Sequence, residues 1–338
     1  MKVWELTDAF GIDNLQLNDR PEPEAGPGQI VVDMRAASLN FRDLVVIKGG
    51  YGRNVKTPLI PFSDGMGVVD SVGAGVTRVA VGDRVCPTFF QTWLAGDPPH
   101  NVAAGTLGGP LDGALAQKML VSEQGVVKVP DNMSDAEAAC LPCAALTAWS
   151  ALITQGNILP GQTVVVQGTG GVALFCLQIA KSAGARVIIT SSSDDKLETA
   201  RKMGADETIN YRDEPDWGAV AKKMTGGVGA DHVVELGGAE TLNQSLRAVR
   251  GGGTISLIGV LSGAMAELNL PLVLTRNVRI QGITVGSRAG FEAMMAAFGQ
   301  HEIKPVVDKV FPFDQAVEAL NYLASGAHFG KVCIDHTA

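Results

Sequence analysis

Basic runs, long apolar runs and regularly spaced cysteines are all missing from this 338-residue chain. Its 27 Lys and Arg face 35 Asp and Glu, giving a net charge of −8. Without a cluster of positive residues there is no electrostatic footprint for a phosphate backbone, so nucleic acid is excluded as the partner. No apolar stretch approaches the ~18 residues that a membrane span needs. The opening Met1-Lys2-Val3-Trp4-Glu5-Leu6 alternates like a strand and carries early charge, unlike a signal peptide. Five cysteines, an odd number in irregular positions, do not make a disulfide framework and suit a reducing cytoplasm, where the protein is expected. What remains is a globular composition long enough for two domains. Glycine is plentiful at 41 residues, as a fold with many strand–turn junctions requires.

The most informative stretch is Val164-Val165-Val166-Gln167-Gly168-Thr169-Gly170-Gly171-Val172-Ala173. It has the pattern of a buried strand, a glycine turn and the start of an apolar helix, with a second strand beginning at Arg186. Such a unit binds a dinucleotide: Gly168 permits the tight turn and Gly170 lets the backbone approach a pyrophosphate. The helix behind it offers unpaired N–H groups and a positive dipole end. Ala173 stands at the third glycine position, where close helix–strand packing needs only a small residue.

Around this unit the pattern divides. Residues 1 to about 125 are short strands punctuated by Gly and Pro, such as 28–34, 67–73 and 81–85, which predicts a mostly antiparallel, barrel-like domain. Asp131 to Leu152 switches to helical spacing, with Ser134 and Glu137 set as a capping box. Strands at 163–167, 186–190, 207–209, 231–235 and 254–258 alternate with helices at 172–183, 195–203 and 239–249, predicting a doubly wound parallel sheet. Beyond it, 278–285 reads as a strand, 288–299 as a helix and 332–334 as a terminal strand. The expected organisation is a first domain of residues 1–126 and 267–338, with a nucleotide domain of 127–266 inserted.

In this order the motifs resemble the medium-chain dehydrogenase/reductase superfamily, over essentially the whole chain. The residues that carry the resemblance are Gly28-Gln29, Ala37 to Leu44, Pro61 to Gly67, Gly82-Asp83-Arg84-Val85, Leu146-Thr147-Ala148-Trp149, the glycine turn, Gly204-Ala205-Asp206, Asn210-Tyr211 and Gly251-Gly252-Gly253. Within the superfamily the chain is most similar to quinone oxidoreductase-like members that lack zinc, and to zinc-type alcohol dehydrogenase-like ones. The resemblance implies a GroES-like, mostly antiparallel β-barrel catalytic domain, a Rossmann domain, and an active site in the cleft where they meet. Relatives pair edge to edge at the strand matching 278–285, so it also implies a homodimer.

Zinc-dependent relatives hold a catalytic ion through Cys, His or carboxylate ligands. The matching positions here are Asn40, Ser63 (in Phe62-Ser63-Asp64) and Cys143, and a structural zinc would need four close cysteines where residues 86–120 contain only Cys86. No zinc is expected at either place. The Cys140-x-x-Cys143 pair reads as two small apolar thiols on a buried helix, although the resemblance places Cys143 toward the catalytic cleft.

An NAD site carries Asp or Glu at the end of the second strand, for the ribose 2′-hydroxyl. Here that position is Ser191, followed by Ser192, and a serine can donate to a 2′-phosphate where a carboxylate would repel it. Lys196 and Tyr211 match the spacing with which NADPH-specific quinone oxidoreductases grip that phosphate, so NADPH is the expected cofactor. Asp194 and Asp195 fit the first turn of a helix. Further cofactor contacts follow from topology and resemblance: Thr147, Thr169, Gly171 and Val172, then Glu235-Leu236-Gly237, Gly259-Val260 and Thr284-Val285-Gly286, with Lys331 reaching the phosphates.

Without a metal, hydrogen-bond donors must stabilise charge on the substrate oxygen. Hydride addition to an enone or quinone suits such a site, because the product enolate is delocalised. Candidate catalytic residues are Asn40, Arg42, Tyr51, Ser63, Asp64 and Cys143; Asp43 and Asp64 have an alternative as structural carboxylates paired with Arg42. The expected activity is NADPH-dependent reduction of a small enone or quinone. Two alternatives stay open: an alcohol dehydrogenase or carbonyl reductase on the same scaffold, and an NADPH-binding protein without turnover.

Overall fold

The computed structural model describes residues 1–52 and 54–338. They form two compact units, one of Met1–Leu146 and Val285–Ala338 and the other of Thr147–Thr284. No helix among the described residues is long and apolar enough to cross a membrane.

The first unit holds strands β1 (Lys2–Leu6), β2 (Leu15–Asp19), β3 (Gln29–Ser38), β4 (Asp64–Val72), β5 (Arg84–Pro87), β6 (Lys118–Ser122) and β7 (Val126–Lys128). The second holds β8 (Thr163–Gln167), β9 (Arg186–Ser191), β10 (Glu207–Asn210), β11 (Ala230–Glu235), β12 (Val249–Leu257) and β13 (Arg279–Gly282). The chain then returns to the first unit with β14 (Val307–Pro312) and β15 (Lys331–Asp335). The helices are α1 (Phe41–Ile47), α2 (Asp135–Ala139), α3 (Leu146–Trp149), α4 (Gly171–Ser182), α5 (Asp194–Lys202), α6 (Trp217–Met224), α7 (Leu242–Ala248), α8 (Leu270–Thr275), α9 (Arg288–His301) and α10 (Ala316–Ala324).

In the first unit the main sheet runs β14-β15-β3-β4-β5-β7, with β6 also on β3. The ten-residue β3 is its spine. One edge pairs antiparallel with β4, while the other meets β6 along residues 29–33 and β15 along 36–38. That second pairing, Cys333 against Ser38, is how the C-terminus completes the unit. Ile30, Val32, Leu39, Phe62, Leu115, Leu320 and Val332 fill the core. Phe62 adopts a left-handed φ of 72° with its ring fully buried. Gly113 makes this possible, since a Cβ there would stand 2.0 Å from the Phe62 carbonyl oxygen. The strained residue turns the chain so that Ser63 and Asp64 enter the interior.

The second unit is a six-stranded, all-parallel sheet in the order β10-β9-β8-β11-β12-β13. This is the doubly wound arrangement, and the strand order reverses at β8 and β11. Both faces are covered by helices, so β8 and β9 read as unbroken Val and Ile runs. Val165, Ile188, Val233, Leu246 and Ile255 make its core. The fold is therefore the expected α/β pair of a GroES-like barrel domain and a Rossmann domain.

Several element limits differ from the sequence pattern. The capping box at Ser134 and Glu137 is present, but the expected helix over 131–152 breaks into short α segments separated by π-helical turns at Leu141–Ala145 and Ser150–Thr154. The first unit runs to Leu146 where 126 was expected, because α2 packs on β3 and β4. It resumes at Val285 where 267 was expected, because β13 extends the parallel sheet beside β12. The strand expected at 278–285 is only Arg279–Gly282, and α1, α6, α8, β14 and α10 lie outside the elements that the sequence pattern predicts.

Candidate active site

In the barrel unit the end of β3, the start of α1, the start of β4 and the start of β15 converge on one buried polar cluster. Asn40 precedes α1, and its N–H donates to Asp43 Oδ2 at 2.8 Å, fixing the first turn. Leu39 N donates to the Val332 carbonyl at 2.9 Å, which draws the beginning of β15 alongside. Lys331 thereby enters the interior, only 4% exposed. Its ammonium donates to Asn40 Oδ1 at 2.6 Å and to the Leu39 carbonyl. The expectation that Lys331 reaches cofactor phosphates meets a different placement: the side chain is committed inside the barrel unit.

Two carboxylates share this cation's field. Asp64 accepts from Ser63 Oγ at 2.7 Å and from Cys143 N at 2.9 Å. Burial pushes its pKa up to about 6, although Lys331, Ser63 and Asn40 pull the other way. Burial also raises Asp43, which Arg42 offsets through a 3.2 Å contact. Arg42 further donates to the carbonyls of Leu107, Gly108 and Gly109, and its guanidinium lies 4.4 Å from the centre of the Tyr51 ring. Tyr51 itself is 38% exposed. The structure thus brings together Asn40, Arg42, Ser63, Asp64, Cys143 and Lys331, with Tyr51 stacked at the rim. It turns Ser63 inward: the hydroxyl expected to face substrate is fully buried and spends its proton on Asp64.

These donors do not suit a catalytic zinc. Asn40 Oδ1 is already bound to an ammonium, and Ser63 Oγ donates to a carboxylate. Burial and the nearby Asp64 push the Cys143 thiol up, and of the three matching positions only Cys143 carries a side chain of the kind zinc favours. Among the described residues no group of three or more His, Cys, Asp or Glu is placed to hold a metal ion. Cys140 does not partner Cys143; its sulfur lies 3.5 Å from Cys333 Sγ, and both are buried.

In the nucleotide unit, Gly168 takes φ 76° and its N–H donates to the Thr190 carbonyl at 2.8 Å. Nothing lies within 4 Å of where a Cβ would point from Gly168 or Gly170, so the space above the turn is open. Gly170 caps α4 without a side chain, leaving the first-turn N–H groups for an anion. Thr169, Gly171 and Val172 share this turn. The glycine turn therefore fits a dinucleotide pyrophosphate.

At the end of β9, Ser191 is buried; its Oγ accepts from Ser193 N at 3.4 Å and its carbonyl accepts from Tyr211 N at 3.1 Å. Tyr211 is exposed, and Ser192 and Lys196 are half-buried. Asp194 turns toward β10, accepting from Asn210 Nδ2 at 2.9 Å. Thr147 is buried at the start of this unit, and Thr284 closes it just after β13. Val285 stands in the left-handed region at φ 51°, ahead of Gly286. After β11 and β12 the loops approach closely, since a Cβ on Gly259 would lie 2.0 Å from the Leu236 carbonyl oxygen, while Val260 is exposed. The N–H groups of Leu236 and Gly237 are spent on the Gln167 side chain. Sequence reasoning passed over Gln167 as an interacting side chain; a polar residue ending the Val164-Val165-Val166 run was the available signal.

A barrel unit with a buried cationic cluster and a doubly wound unit with an open glycine turn define a two-domain dehydrogenase/reductase. The alcohol dehydrogenase GroES-like domain family matches residues 26–131, and the zinc-binding dehydrogenase family matches residues 171–300. A zinc-type alcohol dehydrogenase-like protein of Schizosaccharomyces pombe is 44% identical over 331 residues, 96% of either chain. Among solved structures, an NAD-dependent alcohol dehydrogenase shares 35% identity with a TM-score of 0.90, covering 99% of both chains. A mycobacterial protein complexed with NADPH shares 27% identity with a TM-score of 0.84, over 99% of this chain and 100% of that one. The chain belongs to the medium-chain dehydrogenase/reductase superfamily, as an oxidoreductase of its zinc-type alcohol dehydrogenase-like group.

Proposed function

We propose that this protein is a zinc-independent reductase that uses NADPH to reduce a small enone or quinone. The observation that carries the reading is the Lys331–Asn40 pair. Asn40 stands where the resemblance puts a ligand of metal-dependent relatives, and the Lys331 ammonium takes up its amide oxygen. Hydrogen-bond donors of this kind would stabilise a delocalised enolate better than a localised alkoxide.

The Gly168 turn and the N-terminus of α4 would hold the pyrophosphate, and Ser191, Lys196 and Tyr211 the 2′-phosphate. Bound there, NADPH supplies the hydride. Solved relatives include both an NAD-dependent enzyme and an NADPH complex. Likeness alone does not choose, and the choice of NADPH rests on Ser191 standing where an NAD site keeps a carboxylate. Tyr51, exposed at the rim, would donate to the substrate oxygen, and Arg42 holds its ring in place. Asn40 Nδ2, buried beside Asp64, would be a second donor. Asp64 fixes Ser63 and the Cys143 backbone, so its part is to shape the site.

The test is NADPH oxidation on an enone, a quinone and an aldehyde, with EDTA present and the metal content measured. Turnover of the enone or quinone by metal-free protein is expected. Stoichiometric zinc with aldehyde turnover would instead establish an alcohol dehydrogenase or carbonyl reductase.

A further inference from the structure

Where the strand order of the parallel sheet reverses, β8 and β11 each end on a buried polar side chain. Gln167 directly precedes the Gly168 turn, and Glu235 is completely buried. The Glu235 carboxylate is met by neutral donors. Its Oε1 accepts from Gly237 N and Gly238 N, both at 2.9 Å, and from Thr241 Oγ1. Its Oε2 accepts from Gln167 Nε2 at 2.7 Å and from Ser245 Oγ. The other end of the Gln167 amide accepts from Leu236 N at 2.9 Å and Gly237 N at 3.0 Å. Five donors thus meet one carboxylate, and two backbone N–H groups meet one amide oxygen.

For stability alone this is an expensive arrangement, since a packed apolar pair would serve a strand end as well. Its consequence is directional. The N–H groups of 236, 237 and 238 are pulled into the sheet end, which fixes the backbone of that loop. The Gly237 carbonyl then accepts from Ser262 N at 2.7 Å and from Ser262 Oγ at 2.9 Å, tying the loop after β12 to the loop after β11. Both loops hang on Glu235, at the switch point where doubly wound sheets bind their ligands.

We infer that Gln167 and Glu235 are a positioning pair for the bound dinucleotide, holding the loops after β11 and β12 against it. The inference rests on the dinucleotide reading given under Proposed function. Its polarity can be tested by exchange. Glu235→Gln turns an amide donor toward the Gln167 donor, and Gln167→Glu sets two carboxylates face to face. The double variant Gln167→Glu/Glu235→Gln restores one acceptor and one donor at each contact.

Dissociation constants for NADPH and for NADH are measured by fluorescence titration on the full chain, with unfolding midpoints alongside. Each single variant is expected to weaken binding about tenfold or more, and the double variant to return to within about threefold of wild type. Gln162→Ala serves as control at the opposite ends of the same strands, where Gln162 meets His232 at 3.2 Å. It should lower the unfolding midpoint without moving either constant. A folded double variant that binds no better than the singles, or singles that bind like wild type, would overturn the pairing and leave the dinucleotide reading standing. Failure of wild-type protein to bind either dinucleotide would overturn both.

Discussion

Lys331 Nζ stands 2.6 Å from Asn40 Oδ1, and 291 residues of chain separate the two. This contact exists because β15 returns to pair with the end of β3. It makes Lys331 the main cation that offsets Asp64, and one that adds to Arg42 at Asp43; both carboxylates are fully buried.

Replacing Lys331 with Met should therefore cost about 3–5 kcal/mol, the usual penalty for leaving buried charge uncompensated. Urea unfolding at neutral pH reads this directly. A loss below about 1 kcal/mol, the scale of an exposed ion pair, would show that the ammonium does not carry the cluster.

Asp64 gives a pH signature of known sign. Its folded-state pKa is raised from 3.8 to about 6, so the native state holds the proton more tightly than the unfolded chain. The stability it contributes is full below the unfolded value and is lost as pH rises through about 6. Relative to Asp64→Asn, which does not titrate, wild-type protein should lose stability on the order of 3 kcal/mol across that window. Parallel unfolding curves of the two proteins at pH 4 and pH 7 make the comparison, and an unchanged difference would remove Asp64 as the source.

What the chain disclosed by itself follows the range of the interactions. The β8–α4–β9 unit was legible because Val164-Val165-Val166, Gly168 and Gly170 act on their immediate neighbours. Helix α6 left little pattern, since the residues it buries are Trp217, Gly218 and Ala221, two of them too small to mark a stripe. Strand β14 buries only Phe311 and shows no alternation. Helix α10 buries Ala316, Ala319, Leu320 and Leu323 at helical spacing, so its pattern is present in the sequence. In the site, Asn40, Arg42, Asp64 and Cys143 stand out as candidates, but the contacts that gather them (Lys331 on Asn40, Cys143 on Asp64, Arg42 on the carbonyls of 107–109) join distant parts of the chain. Lys331 on Asn40 and Glu235 on Gln167 arise from strand pairing, which local periodicity does not encode.

Cofactor choice should turn on Ser191. With Ser191→Asp, a carboxylate at the end of β9 would repel a 2′-phosphate and accept from a 2′-hydroxyl. Lys196→Ala removes positive charge from the same place. Each change should raise the NADPH KM about tenfold or more while the NADH KM stays level or falls. Steady-state kinetics with both cofactors decide it, and an unchanged preference in both variants would sink the 2′-phosphate assignment.

Tyr51 is the last point at which the proposed chemistry can fail cleanly. Its ring is held by Arg42 at 4.4 Å, and Arg42 is itself anchored to three carbonyls and Asp43. Removing only the hydroxyl in Tyr51→Phe keeps that stacking and deletes one donor. If the phenol donates to the substrate oxygen, kcat on the enone or quinone should fall about 10²-fold, with NADPH binding and the unfolding midpoint unmoved. A kcat equal to wild type would transfer the donor role to Asn40 or to solvent. Asn40→Ala separates those two, because its loss would then lower kcat only if the amide carries the hydrogen bond.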